Sequence, residues 1–460
     1  MRLVRTASIV CLLLLLPAVA LASSTADKEG APTFYGDVLS VLQENCQVCH
    51  REGGSNLGGM VAPMAFVDYK STRPWAKSIA RQVEAKLMPP WHASEDQHGI
   101  FANERTLKQE DMDLLISWAK AGAPEGNPAD APPTKEWPQT AGWSIGEPDI
   151  VLDMGTKYFI EDNVDDQYIT FETEITEDIL SEPRWVQAVE FRPGSSVVHH
   201  IIAAPLGGIA PGNDPTYYND GYGTLLEPGT KIRWQMHYHK EPGPDTGVWD
   251  KSYAALKFYP KGYTPEHVVV NNPLVRADWV IPAGAENHQE VVTTKFERET
   301  LLLGYTPHMH LRGKSARYVA KYPDGSEEVL LEVPKYDFNW QTHYEYPAPG
   351  KRVPAGTEIE LTMAWDNSAN NPNNPDPTVD VRHGQPTTAE MMFGFVNYTD
   401  AEPGYMPKAG EGFFGSREAR MKRMLKDRFG LDWDTMSDEE RKAAIEKLRA
   451  LRRSRDAAGD

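Results

Sequence analysis

Residues 317–333 read Arg317-Tyr318-Val319-Ala320-Lys321-Tyr322-Pro323-Asp324-Gly325-Ser326-Glu327-Glu328-Val329-Leu330-Leu331-Glu332-Val333. Two runs rich in β-branched and aromatic side chains flank Pro323-Asp324-Gly325. Proline presets φ, and glycine supplies the positive φ a tight turn needs, so the stretch predicts a β-hairpin. The same texture extends outward. Residues 197–203 and 231–238 are further short strand-like runs, and turn residues separate such runs from Asp149 to about Tyr398. Many short strands over that length predict all-β sandwiches, two of them and jelly-roll-like, over 148–278 and 279–405.

Toward the N-terminus the pattern changes. Residues 33–124 read as a small all-α domain. A helix is expected over 74–87. Another follows a capping box from Thr106 to Gln109, with Leu114, Leu115 and Trp118 at helical spacing, and Gly122 and Pro124 stop it. Residues 125–147, with Pro132-Pro133 and Pro138, form a linker or extended wrap. Beyond Phe414 a helical tail is expected over 410–460, with a capping box from Ser437 to Glu440.

The first 22 residues read as an export signal: Arg2 and Arg5, an apolar run from Ile9, then Ala20-Leu21-Ala22 as cleavage site. The apolar run is short for a bilayer span, and no other stretch is long enough. Removal of Arg2 and Arg5 takes the formal charge from −19 to −21, which disfavours nucleic acid as a partner. Of three cysteines, Cys11 leaves with the signal, so Cys46 and Cys49 are the whole mature supply.

Those two stand in Cys46-Gln47-Val48-Cys49-His50, a C-x-x-C-H motif. Two thiols on one helical turn can bond the vinyl groups of one haem c, and the adjacent imidazole of His50 can ligate its iron. A redox dithiol would want a βαβ context, and zinc would want a second cysteine pair; neither is present. Met88 is the first choice for the sixth ligand, with Met60, Met64 and His92 as alternatives. Together with Met88-Pro89-Pro90-Trp91 and Trp118-Ala119-Lys120-Ala121-Gly122-Ala123-Pro124, the motif makes residues 33–124 resemble the short cytochrome c domains fused to other exported redox domains.

The β region carries ordered histidines: His199-His200, then His237-Tyr238-His239, then His308-Met309-His310, and later Glu390-Met391-Met392. Residues two apart on a strand share a face, so His308 and His310 can hold one metal. Adjacent His199 and His200 can do so only with a local twist or bulge. A lone histidine is usually a core or surface residue, which is the reading for His92, His98, His267, His288, His343 and His383. Zinc suits three histidines, whereas a thioether suits Cu(I).

In this order and spacing the chain resembles the type II copper, ascorbate-dependent monooxygenases, which include peptidylglycine hydroxylase and dopamine β-hydroxylase. Gly146-Glu147-Pro148-Asp149-Ile150-Val151-Leu152, Asp366-Asn367-Ser368, Asn371-Pro372, Asn374-Pro375 and Thr387-Thr388-Ala389-Glu390-Met391 extend the likeness over about residues 148–400. The resemblance implies two mononuclear coppers facing each other across a solvent-filled cleft between two β-sandwiches. His199, His200 and His237 would hold the electron-storing copper, with His239 as fallback and Gln235 lining the path between coppers. His308, His310 and Met391 would hold the catalytic copper, with Met392 as the close alternative and Glu390 in support. Two departures stand out: Thr306 occupies the place of a carboxylate-gripping Arg, and Phe393 and Phe395 replace polar residues.

The expected function is an exported monooxygenase that hydroxylates a C–H bond of a weakly polar organic substrate with O2. An external donor and the haem would supply electrons. A non-catalytic electron-transfer or copper-binding protein on the same scaffold is the alternative, and a zinc hydrolase fused to a cytochrome is the third.

Overall fold

The computed structural model describes residues 30–55, 57, 60–137, 143–407, 433, 436, 437 and 439–444. The expected export signal and most of the expected tail lie outside them. Of that tail, Ser437 forms its capping box: its hydroxyl accepts from Glu440 N at 3.3 Å, and its own N–H donates to Glu440 Oε2 at 2.8 Å.

Among the described residues before 137 there are four short α-helices, α1 (Leu39–Asn45), α2 (Tyr69–Thr72), α3 (Ala76–Glu84) and α4 (Gln109–Lys120). Leu42, Ile79, Val83, Leu115 and Trp118 pack with Phe34 and Val38 into a core of their own. Helix α4 stops as expected, where Gly122 takes φ +93°. Its start differs from the expected capping box. The Thr106 hydroxyl donates to Glu104 Oε1 at 2.5 Å and makes no capping bond to the helix. The helix begins at Gln109 behind Lys108, whose side chain makes no capping bond. Residues 131–137 run extended along the helices, with Lys135 Nζ on Gln43 O at 3.1 Å and Arg51 over the Trp137 ring at 4.4 Å.

Residues 150–400 form β structure, and no described helix is long and apolar enough to cross a membrane. The longer strands are β1 (Asp166–Glu174), β2 (Arg184–Arg192), β3 (Val198–Ala204), β4 (Lys231–His239), β5 (Tyr253–Phe258), β6 (Val270–Arg276), β7 (His288–Lys295), β8 (Thr300–His308), β9 (Gly313–Lys321), β10 (Glu327–Val333), β11 (Glu358–Trp365) and β12 (Met392–Asp400). One pair of sheets contains β1-β4-β3 and, opposite, β5-β2 with shorter strands. Ile201, Ala203, Trp234, Met236 and Tyr238 fill its core against Val186, Phe191 and Leu256. A second pair contains β6-β12-β8 and β7-β11-β9-β10, around Leu302, Tyr305, Tyr318, Leu331, Leu361, Trp365 and Met392. The hairpin of β9 and β10 forms, closed by Tyr322 N–H on Ser326 O at 2.8 Å.

Two details depart from the expected boundaries. Strand β6, which a division at 278/279 assigns to the first β region, pairs with β12 from Val270 opposite Tyr398 to Arg276 opposite Met392. It is an edge strand, the position in which Pro273 is tolerated. Residues 91–105 also leave the helices. Trp91, Ala93 and Phe101 pack into the second β core. Around them Ser94 N–H donates to Glu332 O at 2.8 Å, Gln97 Nε2 to Leu330 O at 3.2 Å and Asn103 Nδ2 to His343 O at 2.7 Å.

Candidate metal centre

The C-x-x-C-H stretch caps α1. His50 N–H donates to Cys46 O at 2.8 Å, so both thiols and the imidazole lie within one turn. The cysteines form no disulfide. Burial pushes the Cys46 thiol up to about 12, helped by neighbouring Cys49, so it is a neutral thiol. The His50 ring stacks on Phe66 at 4.4 Å, and its Nδ1 lies 3.2 Å from Met64 O. A proton on Nδ1 given to that carbonyl leaves Nε2 as the ligating nitrogen, the arrangement an iron ligand requires. These residues therefore fit one covalently held haem. Of the candidates for the opposite side, Met88 is half-buried after the turn that follows α3, and Met60 is exposed. Met64 packs on the helical core. His92 lies in the segment embedded against the β core, and burial lowers its imidazole from the ordinary value.

The first histidine group depends on an irregularity in β3. Opposite β4, Val198 pairs with Tyr238 and His200 with His237, so His199 is the extra residue of a bulge. Val198 and Ile201 both face the core although three residues apart, and His199 and His200 together reach the other side. Nitrogens of His199, His200 and His237 lie within 4.8 Å of one another. His200 Nδ1 and His237 Nδ1 are 3.2 Å apart. That is close to the edge of about 3.3 Å expected for two nitrogens bound at 2.0–2.1 Å to one tetrahedral metal. His239 shares the strand face of His237, but its side chain is 40% exposed beside Asp165, and it lies outside the group. Gln235 is half-buried on that same face.

Asp166 on β1 holds His237: its Oδ1 is 2.5 Å from Nε2. Its Oδ2 accepts from Thr387 N at 2.6 Å and Thr387 Oγ1 at 2.5 Å. These bonds hold the Asp166 carboxyl well below the usual carboxylate range, against the opposing cost of burial. The carboxylate fixes a proton on Nε2 and presents Nδ1 as a lone pair. Tyr168, paired with His237 across the strands, stacks on its ring at 4.1 Å.

The second group sits where β8 ends. His308 and His310 have ring centroids 5.3 Å apart. Nδ1 of His308 is bonded to Gln341 Oε1 at 2.6 Å, and Nδ1 of His310 lies 3.2 Å from Ala389 O. Both Nε2 atoms are thereby left for a ligand. Met391 immediately precedes β12, where Phe393 pairs with His308. Strand alternation puts Met391 on the face of Phe393 and His308. Met392 points the other way, fully buried in the core. Glu390 anchors the turn: its carboxylate accepts from His310 N at 2.9 Å, Arg312 N at 2.7 Å and Trp365 Nε1 at 3.0 Å. Burial raises the Glu390 carboxyl to about 7, opposed by those donors and by Arg312.

Burial keeps all five imidazoles neutral and ready to ligate, with His308 at about 4, His310 at about 3 and His199 at about 2. Both ring nitrogens of His199 and Nε2 of His310 are buried without a hydrogen-bond partner. Leaving such groups unsatisfied costs roughly 1–3 kcal/mol each, a cost that a bound cation would remove. The imidazole donor set therefore fits borderline metal ions such as zinc or copper.

The two groups touch. His200 and His308 rings lie 5.9 Å apart, and Phe338 stacks on His199 at 4.4 Å while meeting His310 edge-on at 6.1 Å. An open cleft between separated sites, as the family resemblance implies, is not the arrangement here. Sequence reasoning missed Asp166, Phe338 and Gln341, and it gave Thr387 no role beyond its place in the family likeness.

Comparison with known protein families and with curated proteins finds no match. Among solved structures, the chain is similar at 7% identity to the crystal structure of PBCV-1 VP54 fitted into a cryo-EM reconstruction of the virophage Sputnik. That alignment covers 56% of this chain and 97% of the other at a TM-score of 0.21, too low to carry an argument.

Proposed function

We propose that this protein is an exported haem- and copper-dependent monooxygenase, built as a cytochrome c domain followed by two copper-binding β-sandwiches. The observation that carries the reading is the convergence of five neutral histidines, two of which, His199 and His310, bury ring nitrogens without a hydrogen-bond partner. When bound, the metals supply O2 activation and one-electron transfer. The protein does the rest. Asp166, Gln341 and the Ala389 carbonyl set which imidazole nitrogen carries the proton. Glu390 holds the backbone of His310 and Arg312 in place. Phe393 and Phe395, on the His308 face, favour a weakly polar substrate over a carboxylate.

The packing of Phe338 and His308 against the first group favours one rival, a copper-holding electron-transfer protein. Copper and zinc per haem, measured on protein matured in a periplasm, test the reading. Two coppers per haem are expected, with His308→Ala and His199→Ala each losing one. Zinc in place of copper, or no loss in either variant, overturns it. Substrate-dependent O2 uptake separates the enzyme from its rival.

A further inference from the structure

The haem-attachment loop and His308 are joined by one peptide group. The peptide between Pro211 and Gly212 donates its N–H to Leu57 O at 2.9 Å and accepts Gln341 N–H on its carbonyl at 2.8 Å. Gln341 is 1% exposed, and its Oε1 takes the Nδ1 proton of His308 at 2.6 Å. Leu57 lies seven residues beyond His50, and the loop folds back through Ser55 N–H on Val48 O at 2.8 Å.

The junction is built rather than incidental. Gly212 takes φ +93°, and a Cβ there would stand 3.1 Å from Trp340 Cε3, so the turn requires glycine. Asn213 Nδ2 donates to Gln341 O at 2.6 Å. Arg105 binds Gly212 O at 3.3 Å and pairs with Asp214. The first histidine group has a different attachment, through Asp166 to Thr387.

We propose that the Pro211–Gly212 peptide and Gln341 form a bonded bridge from the haem loop to His308, by which electrons enter the copper pair at the His308–His310 site. With both groups bound, one electron would pass from ferrous iron held at His50, left ferric, to a cupric ion held by His308 and His310, left cuprous. The inference rests on the haem and copper reading above. Gln341 is a positioning residue in it: its oxygen orients the imidazole and completes the bonded path. Covalent and hydrogen bonds carry electronic coupling better than gaps of the same length.

The test uses the full chain with haem and copper loaded and O2 absent. The haem is reduced by a light flash, and its reoxidation is followed by absorbance alongside loss of the cupric paramagnetic signal. With copper content verified, Gln341→Leu and Gly212→Val are each expected to slow haem reoxidation by about tenfold or more. Gln341→Glu, which keeps an acceptor oxygen, restores most of the rate. Unchanged rates in Gln341→Leu and Gly212→Val, with the rate lost in His199→Ala, overturn the bridge and place entry at the other group. A wild-type protein holding haem and copper but passing no electron between them overturns the parent reading instead.

Discussion

The two histidine groups use the same ligand type with opposite support. In the first, a carboxylate touches a ligand directly, Asp166 on His237, and the backbone is bent by a bulge at His199. In the second, the ligands lean on neutral acceptors, Gln341 and the Ala389 carbonyl, and the carboxylate of Glu390 is spent on backbone N–H groups. A carboxylate behind an imidazole raises its basicity and favours the more highly charged metal state, whereas an amide or a thioether does so less. With copper bound as proposed, the contrast would bias the first site toward the cupric ion and the second toward the cuprous one.

Loss of Glu390 is the severest way to break that contrast. Glu390→Ala strips acceptors from three buried donors. Metal-free protein should lose about 3–5 kcal/mol in denaturant unfolding, because each buried donor left unpaired costs roughly 1–3 kcal/mol, and a loss below about 1 kcal/mol would contradict the role given to Glu390. Asp166→Ala should weaken copper binding about 10–100-fold at the first group and little at the second, read by competition titration. Equal weakening at both would mean that the supports are not separate.

A smaller effect comes from protons. Burial holds His308 at about 4 and His310 at about 3, against the ordinary 6.5. The unfolded chain binds protons that the folded one refuses, so stability declines as pH falls below about 6.5 and levels off below the folded values. The thermal midpoint of metal-free protein should drop between pH 7 and pH 5, with a shallower slope in His308→Ala. The same slope in both proteins would refute the assignment. Least of all, His239→Ala should leave the copper count unchanged, because its side chain is 40% exposed outside the first group.

The grouping of the histidines was legible because strand alternation is written locally. His308 and His310 announce a shared face, and the adjacent pair at 199 and 200 demands a bulge, which β3 supplies. Their supports were not legible. Gln341 is 33 residues from His308, and Asp166 is 71 from His237; both partnerships exist only after sheets pair and loops fold back. Contact between the two groups is likewise tertiary, set by where Phe338 lands. Strand β6 was misplaced for a related reason: an edge strand carries the same alternation whichever core it joins.

The embedding of residues 91–105 in the second β core bears on how the chain is made. Gln97 meets partners 233 and 235 positions later, and Asn103 meets one 242 positions later. A chain emerging from its N-terminus cannot complete this segment until residue 345 has followed. Such long-range pairings slow folding and leave Trp91 and Phe101 uncovered meanwhile. The helical part is therefore assembled last in one of its regions although it is synthesised first, and a truncation ahead of β10 would leave an apolar flap with nothing to cover it.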